Sequence, residues 1–239
     1  MFKDSSHVLC FSHHVLTNLS KIHGTRYNEI TKTTESKTLL EFFQDSSLWF
    51  ERACVLLGSD NTSGAGKSVT AMVLAMVQSE HMCKRAGTST DNACVLKLNT
   101  PEDVRNVPVS LRSLAAVVFD EFKPSNLNQA KFVDEDILKI WFDVRYGGEY
   151  RANYNNGSFP PGVPRTFTAN ADSVETWLGI RHSDSHPILR RIWVFVYPDG
   201  QTTVNMEKLQ DEVKVWQKKH GLDSEEAKAE LTSRFAEFA

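Results

Sequence analysis

The stretch from Gly58 through Ser59, Asn61, Thr62, Gly64, Ala65 and Gly66 to Lys67 and Ser68 joins a short apolar run to a longer helix-patterned one, and its residue types suit one kind of chemistry. Glycines in a tight turn let successive backbone N–H groups converge on an anion. A helix starting at that turn adds the positive end of its dipole. Gly64, Ala65, Gly66, Lys67, Ser68 and Val69 are therefore the candidate cradle for the phosphates of ATP. Lys67 would neutralise the outer phosphates, and the Ser68 hydroxyl would ligate Mg²⁺. The pattern G-x-x-x-x-G-K-[ST] asks for glycine where Asn61 stands. Asn61 can serve, since asparagine tolerates left-handed backbone better than most residues, or Gly58 can make the first turn of a longer loop. A plain surface turn that happens to contain Gly-Lys-Ser is the third reading.

Three further groups could complete such a site. Asp120 and Glu121 close an apolar run over 114–119. There Asp120 can hold Mg²⁺ near Ser68 while Glu121 polarises an attacking water. Asn170 closes another run, and its amide can hydrogen-bond a γ-phosphate or the lytic water; the alternative is an ordinary turn residue. Arg190 and Arg191 sit inside the apolar frame of Ile188, Leu189 and Ile192. One of them could reach a neighbouring subunit's γ-phosphate, a role worth about 10³–10⁵ in rate in other nucleotidases. As an alternative, both are solvated residues flanking a strand.

These residues need a scaffold that brings distant run-ends together. Residues 53–57, 93–98, 114–119, 165–170 and 192–196 are short and largely apolar, the pattern of strands buried on both faces. A largely buried helix is predicted from Ser68 to about Met82. Strands alternating with crossovers predict an α/β fold, a P-loop NTPase core around a parallel sheet over 51–200. Residues 1–50 are expected to be a partly helical extension, with a weak helix start at Ser5 and a short helix around Leu39–Phe43. From 201 to 239 two tail helices are expected, the second opened by a capping box at Asp223-Ser224-Glu225-Glu226.

The balance of 27 Lys and Arg against 30 Asp and Glu argues against a broad basic docking surface, though not against a narrow channel lined by a few cations. Cys10, Cys54, Cys83 and Cys94 show no paired spacing and read as free thiols. No leader pattern and no run of the ~20 apolar residues that span a bilayer is seen, so a soluble intracellular protein is expected.

From about Val55 to Tyr197 the order of motifs resembles the superfamily 3 helicase domain, an AAA+-like module, of replication-initiator (Rep) proteins from small circular single-stranded DNA viruses and related plasmids. The resemblance rests on Gly66-Lys67-Ser68, on Val117-Val118-Phe119-Asp120-Glu121-Phe122 and on Asp143-Val144-Arg145-Tyr146. It continues through Thr168-Ala169-Asn170 and Pro187-Ile188-Leu189-Arg190-Arg191-Ile192. It implies an ATP- and Mg²⁺-dependent helicase that self-associates, usually as a hexameric ring, and moves on single-stranded DNA, or RNA. The family places a lysine and a glycine pair on a hairpin entering the ring channel. The corresponding stretch, 147–157, has no lysine, and Arg151 and Tyr154 are the available phosphate contact and stacking platform. His13-His14 is an adjacent pair and does not match the family's metal site, so no nicking activity is expected. His182 and His186 around Asp184 read as a polar loop rather than a metal site. Two other classes stay open: a different P-loop phosphotransferase such as a small-molecule kinase, and a nucleotide-binding relic without turnover.

Overall fold

Residues 17–28, 30–59, 62, 64–98, 115–124, 135–150, 157–179 and 187–200 are described by a computed structural model. The strands are β1 (His23–Asn28), β2 (Thr33–Thr38), β3 (Ala53–Gly58), β4 (Cys94–Leu98), β5 (Ala115–Phe119), β6 (Gly148–Tyr150), β7 (Gly157–Phe159), β8 (Arg165–Asn170) and β9 (Ile192–Tyr197). The α-helices are α1 (Leu39–Gln44), α2 (Ser46–Trp49), α3 (Lys67–Ala86), α4 (Glu135–Phe142) and α5 (Val174–Leu178). The expected tail helices, the helix start at Ser5, His13-His14, Asn61, Arg151, Tyr154 and the His182–His186 loop lie outside the described residues.

The apolar runs form strands because both their faces are covered. Every residue of β3 and of β5 is buried. Along β3, Ala53, Val55 and Leu57 enter one core cluster with Phe119, Trp141, Phe142, Phe167 and Trp177. The alternate residues Cys54 and Leu56 enter the other, with Leu74, Ala75, Phe42, Trp49, Trp193 and Phe195. Helices α1, α2 and α3 thus cover one face of the sheet, while α4, α5 and Phe159 of β7 cover the other. Helix α3 stops where Gly87 turns left-handed (φ 68°) and its N–H reaches back to the Cys83 and Lys84 carbonyls. Cys54 and Cys83 are buried free thiols, and Cys94 is free and partly exposed.

The seven-stranded sheet runs β2-β1-β9-β3-β8-β5-β4, with β9, β3, β8, β5 and β4 all parallel. The chain is therefore an α/β protein with a mostly parallel central sheet. Strand β8 lies between β3 and β5, so the carboxyl ends of all three open on one edge. The connection leaving β3 runs through α3 to β4 on one side, and the connection leaving β8 crosses back to β9 on the other. Such a divergence leaves a crevice above the strand ends, the usual ligand position in open α/β sheets.

The N-terminal segment differs from expectation. Helices α1 and α2 are present, but β1 and β2 form a hairpin that extends the main sheet through antiparallel pairing of β1 with β9. Gly24 permits this approach, because a Cβ there would lie 2.3 Å from the Phe195 ring. On the hairpin Arg26 donates to Glu35 at 2.6 Å and its guanidinium lies over the Trp193 ring. A second, two-stranded sheet pairs β6 with β7. No helix among the described residues is long and apolar enough to cross a membrane.

Candidate functional site

The loop after β3 is folded around a buried threonine. Gly58 has to be glycine, since a Cβ would stand 2.1 Å from the Thr62 Oγ1 and 3.3 Å from the Lys67 Nζ. Thr62 donates its N–H (2.9 Å) and its hydroxyl (2.7 Å) to the Ser59 carbonyl, and its own carbonyl accepts the Ala65 N–H at 3.0 Å. Gly64 (φ 80°) and Gly66 (φ 92°) take left-handed conformations that L side chains resist. Gly66 is the N-cap of α3 and offers no side-chain cap. Lys67 is only 8% exposed, and its ammonium donates to the Thr62 carbonyl at 3.2 Å and hydroxyl at 3.0 Å.

Asp120, just past β5, is the hub of the second half. Its Oδ1 accepts the hydroxyls of Ser68 and Thr168, each at 2.6 Å, and its Oδ2 lies 2.8 Å from the Lys97 ammonium. Burial alone would raise its pKa. Hydrogen bonds from Lys97, Ser68 and Thr168, with the charge of Lys97, outweigh that and hold the carboxyl below its ordinary range. Glu121 follows with φ 53°, left-handed for a residue with a Cβ, at a cost on the order of 1–3 kcal/mol. Strand β8 stabilises that turn: Thr168 accepts the Glu121 N–H on its hydroxyl (3.0 Å) and the Phe122 N–H on its carbonyl (2.9 Å). Buried Phe122 anchors the far side, its carbonyl accepting the Trp177 indole N–H at 2.6 Å.

Between the two halves is a cleft of about 160 Å³, lined by residues 64–69 and by Glu121, Thr168, Ala169 and Asn170. That is below the ~300–1,000 Å³ of a site that swallows a whole organic ligand. It suits a phosphate chain whose organic part lies outside. A metal would find the Ser68 hydroxyl and the Asp120 carboxylate, both hard oxygen donors. No cluster of three His, Cys, Asp or Glu exists among the described residues. This donor set fits Mg²⁺, which keeps several waters and completes its shell from substrate phosphates, better than a cation needing an all-protein cage.

The structure brings Gly64, Ala65, Gly66, Lys67, Ser68, Val69, Asp120, Glu121 and Asn170 to one edge of the sheet. It does not bring Arg190 and Arg191 there. They precede β9, whose first residue, Ile192, is in register with Ala53 at the start of β3. They sit at the opposite edge, about 17 Å away at ~3.3 Å per strand residue. Arg191 is engaged within the chain, its Nε 3.0 Å from Asp143 Oδ2 and its Nη1 donating to the Pro187 carbonyl at 2.5 Å. Sequence reasoning missed Thr62, Lys97 and the bridging hydroxyl of Thr168. Lys97 had a signal, a single charge next to the carboxyl end of an apolar strand. Thr168 had one too, as the middle of the alternation Thr166, Thr168, Asn170 in a strand otherwise apolar at 167 and 169. Thr62 had none. No family model, curated protein or solved structure matches the chain.

Proposed function

We propose that this chain is an ATP-hydrolysing module that works as a helicase or translocase on single-stranded DNA, of the kind its motif order resembles. The observation that carries the hydrolytic part is the Ser68–Asp120 hydrogen bond. It joins a glycine-turned helix start to the acidic end of a parallel strand, across a cleft sized for phosphates. In this reading the loop amides and Lys67 take the outer phosphates, Lys67 exchanging its Thr62 contacts for phosphate oxygens. Ser68 and Asp120 hold Mg²⁺, which supplies neutralisation of phosphate charge. Glu121 accepts a proton from the water whose oxygen attacks the γ-phosphorus, as the bond to the bridging oxygen breaks and ADP leaves. Asn170, on the cleft wall, orients that water or a γ-oxygen.

The translocating part rests on the motif resemblance, in which the stretch 147–157 corresponds to the family's channel hairpin; its flanking strands β6 and β7 pair antiparallel. Neighbouring copies would each contribute an arginine from the edge of the sheet that bears Arg190 and Arg191. ATPase assays with and without single-stranded DNA test the proposal. The expected result is Mg²⁺-dependent hydrolysis that single-stranded DNA stimulates. Hydrolysis or phosphoryl transfer indifferent to DNA would remove the helicase assignment and favour a small-molecule kinase. Tight ATP binding without turnover would reduce the chain to a nucleotide-binding relic.

A further inference from the structure

Asp120 has a cation of its own. Lys97 and Val118 are in register on neighbouring parallel strands, and the lysine ammonium reaches past the end of β5 to Asp120 Oδ2 at 2.8 Å. With Ser68 and Thr168 on Oδ1, the carboxylate has its charge neutralised and both oxygens occupied by protein groups alone. The arrangement is also weak enough to yield. The Lys97 side chain is 53% exposed against 14% for Asp120, so water and salt reach the pair from the lysine side. Ion pairs with that much solvent contribute little and exchange partners readily.

We propose that Lys97 is a positioning residue that makes divalent-cation loading at Asp120 conditional on nucleotide. This rests on the nucleotide-site reading above and deepens it. A free divalent ion arriving alone must displace the ammonium to gain the Asp120 carboxylate and the Ser68 hydroxyl, and no cluster of three His, Cys, Asp or Glu exists among the described residues to hold it. Mg²⁺ dehydrates reluctantly, so the exchange is unfavourable. An ion arriving with a triphosphate brings several oxygens already bound. The phosphate charge also offers the displaced Lys97 ammonium a new partner. Lys97 thereby disfavours unproductive metal occupancy and keeps Asp120 turned so that Oδ1 faces Ser68.

Mn²⁺ serves as the probe, its binding followed by electron paramagnetic resonance and by the thermal unfolding midpoint, with and without a non-hydrolysable ATP analogue. Wild type and Lys97→Arg should bind Mn²⁺ alone weakly. Lys97→Met and Lys97→Gln should bind it about fivefold more tightly, the scale of a partly exposed ion pair, and unfold at a lower midpoint that Mn²⁺ alone restores. Adding Asp120→Asn to Lys97→Met should abolish the gain. With the analogue present the difference between wild type and variants should close. Equal Mn²⁺ affinity in wild type and both neutral variants, while all of them bind the Mn²⁺–analogue complex, overturns the role of Lys97 and leaves the nucleotide site standing. Failure of every form to bind the complex overturns the nucleotide site and this inference with it.

Discussion

At the scale of single residues, the proposed function divides the site into side chains that would act and side chains that aim them. Lys67 is the one cation in the loop 64–69, so Lys67→Ala should abolish hydrolysis; turnover at the wild-type rate would show that the loop holds no phosphates. Glu121 is a sharper case, because its backbone is strained at φ 53°. Glu121→Gln should keep Mg²⁺–ATP binding while hydrolysis falls about 10²-fold or more, as expected for loss of a general base. Glu121→Gly should be just as inactive yet unfold at no lower urea concentration than wild type. Glycine elsewhere costs about 0.5–1 kcal/mol, but here it relieves a left-handed penalty of about 1–2 kcal/mol. A clear drop in urea midpoint for Glu121→Gly would mean the turn is not strained. The residues proposed to act were legible as candidates in the sequence, since a glycine-rich loop and an acidic strand end are local patterns. The aiming residues were not. Thr62 matters because it fills the space beside Gly58. Lys97 and Thr168 matter because β4 and β8 flank β5, an adjacency no local window contains.

At the scale of elements, the same contrast separates the core strands from the hairpin. β3, β5 and β9 read directly from the sequence because burial on both faces demands continuous apolar runs. β1 and β2 carry no such run. β2 is an edge strand of Thr, Glu, Ser and Lys that is exposed or half-buried throughout, held by polar pairs across the hairpin. Glu35 is the centre of those pairs. The Arg26 hydrogen bond, then the one from Asn28, pull its pKa below its ordinary value of 4.5. A depressed carboxyl stabilises above its unfolded value, and that contribution is lost as pH falls through the lower folded value. Hydrogen-exchange protection of the β1–β2 amides should therefore weaken below about pH 4.5, before the β3 and β5 amides are affected. Glu35→Gln should be less protected at neutral pH and lose that pH dependence. Identical acid profiles for the hairpin and the central strands would rule out a local role for Glu35.

At the scale of the whole molecule, the two ends of the sheet carry different groups. The carboxyl ends of β3, β5 and β8 carry the cleft, while the amino end of β9 carries Arg190 and Arg191. The parallel sheet itself was legible, but the strand order was not, because placing β8 between β3 and β5 depends on long-range packing around Phe119, Phe142 and Phe167. The register of β9 with β3 sets Arg190 and Arg191 a strand's length from the cleft, too far for one chain to complete the proposed site with them. If an arginine acts on ATP, it acts on a neighbour's. Specific ATPase activity should then rise more steeply than linearly with protein concentration, and mass photometry should show assemblies that ATP and single-stranded DNA favour. Arg190→Ala should bind ATP normally yet depress wild-type activity when the two are mixed. Arg191→Ala needs a control, because Arg191 shares Asp143 with the chain turn at Tyr146, whose N–H donates to Asp143 Oδ1 at 3.0 Å, next to the hairpin. Asp143→Asn breaks that ion pair while leaving the arginine in place. An Arg191→Ala effect that Asp143→Asn reproduces is therefore a matter of folding at the hairpin base, whereas poisoning of mixed assemblies by Arg191→Ala alone assigns the arginine to the neighbour's phosphate. A strictly monomeric protein whose activity per molecule is independent of concentration would exclude both arginines from catalysis.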